Sequence, residues 1–496
     1  MANYQISIIR DKFIEDDFGD VFDIEEGGYE ATIRNVKSKT ILSVPARINL
    51  CYCLNTKESE KLVTKLIEEY KNYASPEDPV TKIELKGIHK PTLDTPKYKN
   101  ALLVLLSNMV LRQGEDIYTR VSMSKEGTYQ KKYEMYNPSK VKLDILKNLL
   151  TFLGQNDYID LYYNTNKSKL ETRFIVKNKL SKMLKEYDIN NTDVQLSNET
   201  TFVELVLEKE KANGRKTKLL INYESNIDTT RREEILQDYN FVLLDWKYRI
   251  SFKKPMPHIV YARCRYNETI DRGGRVYAPW QWNDISKEDR LKFKIDDSPV
   301  VEVDIKSCSL RIACHLLGID PKQDDLYDIS NSSYKRNEIK YTIQQMFNML
   351  SQDSRSLKQR FLDVSNSNEL QSSINCTDTE FIKKLAEDIY NYFDTEDFNN
   401  LSSKMFFQDK AMTKIMKVET AVVFDVIEYF TSMNEIVLTI HDSYIVRKDL
   451  EEELKTTIIN SYFKHIGYKP ILTTEEGSSG SKTKVSHRQL RELIHK

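Results

Sequence analysis

Two short strand-like runs around a polar centre constrain the fold of this chain more than any other feature. The runs 436–440 and 444–446 consist mainly of β-branched and aromatic residues, and His441, Asp442 and Ser443 lie between them. Such runs around a short polar centre predict a β-hairpin. A simple hairpin turn favours Gly or Asn, so two interpretations of Asp442 remain: an ordinary turn residue, or a carboxylate presented into a cleft.

A second aspartate lies in a comparable setting. Asp304 is near the end of the run 299–305, in which apolar residues alternate with a more polar set. This alternation predicts a strand. An apolar, helical segment follows from Arg311. Asp304 is therefore either the N-cap of that helix or a carboxylate that the end of the strand points into a cleft.

Cationic side chains accompany the two aspartates. Arg336 and Lys340 are four residues apart, so they share one face of a predicted helix. They repel each other there unless an anion such as a triphosphate lies between them, and a solvated basic face is the alternative. Gly274 precedes Arg275; glycine permits close approach of backbone to a ligand, and the arginine can fork onto a phosphate or a base edge. A plain Gly-Gly-Arg turn is the alternative.

Transfer of a nucleotide from a triphosphate requires this set as a whole. The reaction uses two divalent ions about 3.5–4 Å apart, held by carboxylates on rigid elements. It also needs cations for the triphosphate and a positive track for the template. Asp304 and Asp442 supply the carboxylates, Arg336 and Lys340 supply the cations, and Arg275 contributes to the track. The combination predicts two-metal phosphoryl transfer with Mg²⁺, for which Mn²⁺ is a substitute.

The motifs between 263 and 472 resemble those of family A DNA polymerases and of the related single-subunit phage and mitochondrial RNA polymerases. The resemblance implies that Asp304 and Asp442 bind two Mg²⁺ ions. It implies that Arg336 and Lys340 hold the triphosphate, and that Lys340 protonates the leaving pyrophosphate. It further implies DNA contacts from Gly274, Arg275, His441 and Arg311, and nucleotide contacts from Ser309 and Phe347.

Three departures from the family pattern leave the choice of sugar open. Ser309 stands where family A DNA polymerases have a glutamate that excludes the ribose 2′-hydroxyl, and Ser443 stands where their third motif ends in Glu. Asn348 occupies the expected aromatic position, one residue after Phe347. A primer-extending DNA polymerase is the first expectation. A single-subunit RNA polymerase or primase is the second, and a non-catalytic DNA-binding replication factor is the third.

The whole chain predicts an α+β fold, a right-hand polymerase of palm, fingers and thumb behind an N-terminal accessory region. The helix, strand, polar tip, strand and helix that end near Lys185 are typical of a winged helix. Basic residues there, including Arg173, Lys177 and Lys179, are predicted to contact DNA phosphates, and a solvated helix face is the alternative. The predicted domains are an α+β module (1–95), a basic winged-helix-like module (96–190), a thumb-like connection (191–245), a first palm segment (246–318), the fingers (319–412), a second palm segment (413–472) and a mobile tail (473–496).

Composition limits the cellular environment more than the activity. A formal net charge of −1 neither requires nor excludes a nucleic-acid partner, because such an enzyme needs only a basic groove. The chain shows no apolar run of membrane-spanning length and no secretion signal. Its six cysteines lack the spacing of a zinc site. A cytoplasmic protein without membrane contact is expected.

A winged-helix-like module ahead of a short palm resembles the polymerases of phages and mobile elements, including those of staphylococcal cassette chromosomes. This resemblance implies a DNA template and primer, deoxynucleoside triphosphates (dNTPs) and a small accessory protein as partners. An Asp-x-Glu at 23–25 lies within an acidic run and does not indicate an exonuclease. The expected polymerase therefore lacks proofreading.

Overall fold

The computed structural model describes residues 6–9, 14–15, 21–22, 30–33, 49–74, 95–111, 119–121, 135–162, 172–210, 216–244, 249–251, 261–277, 285–329, 332–349, 356–408, 411–477 and 483–484. Over these residues the chain is an α+β protein with several separate sheets, as the sequence predicted. It divides into two compact units, Met1–Glu224 and Ser225–Lys496. None of the described helices is long and apolar enough to cross a membrane.

The first unit combines short antiparallel strands with helices. Its described strands are β1 Ile6–Ile9, β2 Ile14–Glu15, β3 Val21–Phe22, β4 Glu30–Ile33, β5 Tyr52–Leu54, β6 Thr119–Val121, β7 Ile159–Tyr162, β8 Thr172–Val176, β9 Val194–Leu196, β10 Val203–Glu210 and β11 Lys216–Leu220. Its described helices are α1 Lys57–Ala74, α2 Thr95–Val110, α3 Leu143–Gln155 and α4 Asn178–Glu186. Strands β6, β8 and β7 form one sheet in that order, and β5 pairs with β9.

Apolar residues of α1, α2 and α3 form the core of the first unit. Tyr70 of α1 stacks on Tyr98 of α2 with ring centroids 5.1 Å apart, and it meets Phe152 of α3 edge-on at 5.4 Å. Leu146 and Leu150 are one helical turn apart in α3, and both are fully buried. Each buried leucine contributes about 1.5–3 kcal/mol to the free energy of folding, so the spacing of apolar residues explains this packing.

Domain boundaries predicted in the N-terminal half differ from those of the structure. Because β5 pairs with β9 and α1 packs on α2, the predicted modules 1–95 and 96–190 lie within one compact unit. The predicted connection 191–245 is divided, since β9 to β11 belong to the first unit and α5 to the second. Elements α3, β7, β8 and α4 follow one another in the order predicted for a winged helix, and the tip 163–171 lies outside the described residues.

The second unit contains a larger sheet and most of the long helices. Its described strands are β12 Ile250–Ser251, β13 Arg263–Asn267, β14 Gly273–Tyr277, β15 Lys294–Ile295, β16 Ser298–Ile305, β17 Leu438–Ile440, β18 Ser443–Arg447, β19 Leu472–Glu476 and β20 Thr483–Lys484. Its described helices are α5 Ile227–Leu244, α6 Lys287–Arg290, α7 Cys308–Leu316, α8 Arg336–Asn348, α9 Leu357–Ser365, α10 Asn368–Ile374, α11 Thr379–Phe393, α12 Leu401–Met405, α13 Ala411–Ser432 and α14 Glu451–Ile466.

Strand β16 is the central strand of the larger sheet. The strands follow the order β12-β15-β16-β18-β17, and β19 pairs with both β16 and β20. Val301, Val303 and Ile305 are buried. Because side chains alternate along a strand, Glu302 and Asp304 share the opposite face. The alternation that predicted this strand therefore places two acidic side chains on one side of the sheet.

Two helical groups surround this sheet. Helix α13 packs against α14, α5, α7 and β14, and its buried residues include Ile415, Glu419, Val422 and Val426. These positions recur at helical spacing, so an acidic residue lies within an apolar stripe. Helices α8 to α12 pack on one another, and aromatic rings join some of them, such as Phe361 of α9 and Tyr390 of α11, whose ring centroids are 5.6 Å apart.

The sheet continues into the segment predicted to be a mobile tail. Strand β19 extends to Glu476, and its register places Thr473 opposite Asp304 and Thr474 opposite Val303. Threonine is a β-branched residue that fits a pleated sheet. At 473–476, within the segment predicted to be a mobile tail, the chain thus forms a strand beside the candidate site.

Candidate active site

Asp304, near the end of β16, lies beside Asp442, which is in the loop between β17 and β18. Asp304 in β16 is directly opposite Ser443 in β18. The amide nitrogen of Ile305 donates a hydrogen bond of 3.1 Å to the carbonyl oxygen of Asp442. The antiparallel ladder between β16 and β18 therefore brings together two aspartates that are distant in the sequence.

The hairpin predicted from the sequence is present and has an unusual turn. Ile440 pairs with Ser443, so His441 and Asp442 form a two-residue loop between β17 and β18. His441 has φ of 55°, in the left-handed region, where such hairpin loops favour glycine. Its ring meets that of Tyr277 edge-on at 5.9 Å, and its buried Nδ1 has no hydrogen-bond partner among the described residues. Non-glycine residues held in a left-handed backbone conformation are often found at functional sites.

The carboxyl groups of Asp304 and Asp442 repel each other in a site that is largely shielded from solvent. Burial raises the pKa of Asp442 above its ordinary value, and the charges of Asp304 and Glu419 raise it further. Burial also raises the pKa of Asp304, while Lys287 opposes the shift and Glu302 adds to it. Like charges that share a site disfavour ionisation in this way. A bound cation would relieve the repulsion.

The donor set fits Mg²⁺ bound in part by its substrate. Within the described ranges, no group of three or more His, Cys, Asp or Glu residues has the arrangement of a metal site. Mg²⁺ commonly keeps several waters and takes only one or two protein carboxylates, together with substrate phosphates. Asp304 and Asp442 offer such a pair of hard oxygen ligands.

Two cations of α8 lie at this site. Lys340 makes no ion pair or hydrogen bond within the described part of the chain, and its charge lowers the pKa of both Asp304 and Asp442. Arg336, one turn earlier, donates from Nε to Asp325 at 2.7 Å and from Nη2 at 3.3 Å. Lys340 is therefore available to an anion between the helix and the aspartates, whereas Arg336 already has a carboxylate partner.

Arg275 has an equally well-defined partner, which the sequence did not indicate. Glu419 of α13 accepts hydrogen bonds from Nε of Arg275 at 2.9 Å and from Nη2 at 3.0 Å. Burial acts to lower the pKa of Arg275, but the charge and hydrogen bonds of Glu419, together with the charges of Tyr277 and Asp442, outweigh this effect, and the pKa is raised. The detectable signal was an acidic residue within the apolar stripe of α13. The positive charge of Arg275 is thus compensated by Glu419 within the protein.

Gly274 is explained by packing within the protein. Its φ is 85°, and a Cβ atom there would lie 2.4 Å from Nη1 of Arg232 and 3.0 Å from the ring of Tyr266. The glycine therefore permits close approach of Arg232. The structure brings Gly274 near these side chains and gives no separate reason for the predicted contact with DNA.

A second acidic residue missed from the sequence supports the two strands. Glu302 is buried on the same face of β16 as Asp304. It accepts a hydrogen bond of 2.7 Å from the hydroxyl of Ser443 and one of 3.0 Å from Arg290. Ser443 therefore binds a neighbouring strand of its own sheet. The alternation of the strand was the signal that could have identified Glu302.

Two residues that the sequence predicts to contact ligands are buried within the protein. Arg311 is 1% exposed, and its Nη2 donates to the carbonyl oxygens of Gln323 and Asp324, each at 2.9 Å. Arg311 therefore connects a loop to α7, and its contact with DNA stays a prediction. Phe347 is 2% exposed and packs edge-on against Phe406 at 5.0 Å, so its ring belongs to the helical core. Its contact with a nucleotide stays a prediction.

Ser309 lies in the first turn of α7 and is half-buried. It is five residues after Asp304, and the turn between them passes through Ser307, which has φ of 53°. The structure thus keeps Ser309 on the element that follows the candidate metal ligand. No described contact of Ser309 tests its predicted role in choosing the sugar.

The basic residues predicted to bind DNA from the first unit have partners within that unit. Lys177 pairs with Asp160 at 3.3 Å, and the Nζ of Lys179 lies 3.9 Å from the centre of the Tyr158 ring. The guanidinium of Arg173 lies over a tyrosine ring. The charge of Lys177 is thus partly compensated within the unit, and the contacts of these residues with DNA phosphates stay predictions.

Comparisons with known proteins add no family assignment. No protein-family model matches the chain, and no curated protein matches it. Among solved structures, the chain is similar to the POL domain of Pol1 from M. smegmatis, in complex with DNA primer–template and dNTP. The identity is 11%, the TM-score is 0.24, and the match covers 87% of this chain and 66% of that chain. This similarity carries no argument about fold or activity.

Proposed function

We propose that the protein is a template-directed DNA polymerase that extends a primer with dNTPs by two-metal phosphoryl transfer and lacks proofreading. The observation that carries the proposal is the pair Asp304 and Asp442, which two antiparallel strands bring side by side with raised pKa values. The larger sheet would act as the palm, and helices α8 to α12 as the fingers.

Each residue of the site has a role in this proposal. Asp304 and Asp442 would hold two Mg²⁺ ions, which would supply charge to activate the primer hydroxyl and to neutralise the leaving pyrophosphate. Lys340 and Arg336 bind the triphosphate, and Lys340 donates a proton to the pyrophosphate as it leaves. Arg275 and His441 orient the end of the primer.

The electrostatics of the site support this assignment. Two aspartates that repel each other destabilise the fold, because buried charges without a compensating partner raise the free energy of the folded state. A divalent cation would offset this electrostatic repulsion, because it binds carboxylates in their deprotonated, charged form. The charge of Lys340 in α8 acts on both aspartates, which suits a group that meets the triphosphate.

A primer-extension assay tests the proposal. The purified protein is given a primed DNA template, Mg²⁺ and dNTPs, and the variants are D442A and D238A. Asp238 is exposed on α5 and makes no hydrogen bond or ion pair within the described residues, so D238A is the control for loss of one acidic charge. We expect D442A to lose synthesis by roughly 10³-fold or more, and D238A to keep it.

The outcomes separate the competing functions. Equal or better use of ribonucleotides, or synthesis without a primer, would assign the chain to RNA polymerases or primases, which the serines at 309 and 443 also permit. A wild-type protein that binds DNA without incorporating nucleotides, with D442A binding equally well, would identify a non-catalytic replication factor.

A further inference from the structure

Asp325 lies in the loop between α7 and α8 and makes a fork with Arg336. Its Oδ2 accepts a hydrogen bond of 2.7 Å from Nε, and its Oδ1 accepts one of 3.3 Å from Nη2. The guanidinium of Arg336 also lies 5.3 Å from the centre of the Tyr327 ring. Planar forks and aromatic faces both fix the orientation of an arginine. Arg336 is thus held on one edge and one face.

Asp325 is itself anchored to the end of the strand that carries Asp304. The hydroxyl of Ser307 donates to Oδ1 of Asp325 at 3.0 Å and accepts from the amide of Leu326 at 3.2 Å. The amide of Tyr327 also donates to Oδ1, at 3.2 Å. Ser307 is three residues after Asp304, at the start of α7. Hydrogen bonds therefore link Ser307 through Asp325 to Arg336, the candidate triphosphate ligand, and the backbone from 304 to 307 connects Ser307 to the candidate metal ligand Asp304.

We infer that Asp325 is a positioning residue that holds Arg336 in place for the triphosphate, an inference that rests on the proposed function. The fork uses Nε and Nη2. The remaining Nη1 makes no hydrogen bond within the described part of the chain. An arginine fixed in advance loses less conformational freedom when it binds a phosphate. Through its hydrogen bond to Asp325, Ser307 then fixes the position of Arg336 relative to Asp304.

Asp325 could instead compete with the triphosphate for Arg336, and its surroundings argue against this. Its carboxylate receives hydrogen bonds from Ser307 and Tyr327 in addition to the arginine. Burial acts to raise its pKa, but these donors and Arg336 outweigh that effect, so the pKa is lowered. A carboxylate with several fixed donors remains in position when a ligand arrives.

The test compares D325N with D328N. Asp328 lies in the same loop and is exposed, so both variants lose one charge there and only D325N weakens the fork. Binding of dATP with Mg²⁺ is measured by calorimetry, and KM for dATP and kcat by primer extension. We expect D325N to weaken dATP binding and raise KM by roughly ten-fold, with a much smaller change in kcat. D328N should match the wild type.

S307G provides a second variant that leaves both charges of the ion pair in place. Glycine adopts a φ of 53° without strain, so this change removes the hydroxyl anchor and preserves the backbone. We expect a change in dATP affinity in the same direction as D325N but smaller. The two changes should be non-additive in the double variant, because they act on the same chain of contacts.

Three results would overturn the inference. Tighter dATP binding by D325N would identify Asp325 as a competitor, and unchanged binding would remove its role. Equal losses of dATP affinity in D325N and D328N would show that the effect comes from removing one negative charge from the loop and not from the fork. Failure of the wild type to extend primers would reject the proposed function, while the calorimetric comparison would still decide whether Asp325 positions Arg336 for a triphosphate.

Discussion

Glu419 and Arg275 form a charged pair that is unevenly buried. The side chain of Glu419 is 4% exposed, whereas that of Arg275 is 24% exposed. Removing one partner of a fully buried pair costs about 3–5 kcal/mol, because the other charge stays behind without compensation. Arg275 retains some contact with solvent, so the penalty for losing Glu419 should fall below this range.

We therefore expect E419Q to lower the free energy of unfolding by about 2–3 kcal/mol. Urea denaturation at neutral pH measures the change. The control is E428Q on the same helix, which breaks the pair between Arg231 and Glu428, where the side chains are 56% and 49% exposed. An exposed pair contributes less than about 1 kcal/mol. Equal losses in the two variants would contradict the importance of burial at Glu419.

At the scale of single elements, the loop of the β17–β18 hairpin contains a residue that stability alone does not explain. His441 holds a left-handed conformation, with φ of 55°, that costs an ordinary residue about 1–2 kcal/mol. Glycine adopts the same conformation freely. The fold alone would therefore favour glycine at this position, and the histidine points to a role for its ring, which lies against Tyr277.

H441G should reduce primer extension and leave the stability of the protein nearly unchanged. Relief of the backbone strain, about 1–2 kcal/mol, offsets the packing lost with the ring. N434G is the matched control, since Asn434 also has a positive φ, of 56°, before β17. We expect N434G to keep full activity. The measurements are primer extension and thermal unfolding, and a large loss of stability in H441G would show that the ring serves the fold.

Local patterns in the sequence were sufficient to predict the elements that carry the two aspartates. Alternation predicted β16, and paired β-rich runs predicted the hairpin of β17 and β18. Both signals depend on neighbouring residues alone. The adjacency of β16 and β18 depends on tertiary pairing, so the resemblance to polymerases implied it and no spacing in the sequence required it.

Side-chain surroundings were the part that the sequence could not supply. A motif assigns Arg311 and Phe347 a position, but the carbonyl groups around one and the aromatic core around the other exist only in the folded chain. Asp325 lies in a loop without periodicity, so nothing local marked it as the partner of Arg336. Glu302 and Glu419 were visible as acidic residues on otherwise apolar or alternating faces.

At the scale of the whole molecule, the aspartate pair should link stability to pH and to Mg²⁺. A carboxyl group with a raised pKa binds more protons in the folded chain than in the unfolded chain. Its contribution is most favourable below the ordinary carboxyl pKa of about 4, and it is lost as the pH rises through the raised pKa. Asp304 and Asp442 therefore oppose folding at neutral and higher pH when no cation is bound.

D442N should consequently stabilise the metal-free protein at pH 8 and abolish its response to Mg²⁺. In a chelator, we expect the Tm of D442N to exceed that of the wild type by about 2–4 °C, the shift produced by roughly 1 kcal/mol. Mg²⁺ should raise the Tm of the wild type, because it binds only the folded state, and leave D442N unchanged. The control D238N should respond to Mg²⁺ like the wild type. An equal Mg²⁺ response in D442N would place the stabilising cation away from Asp442.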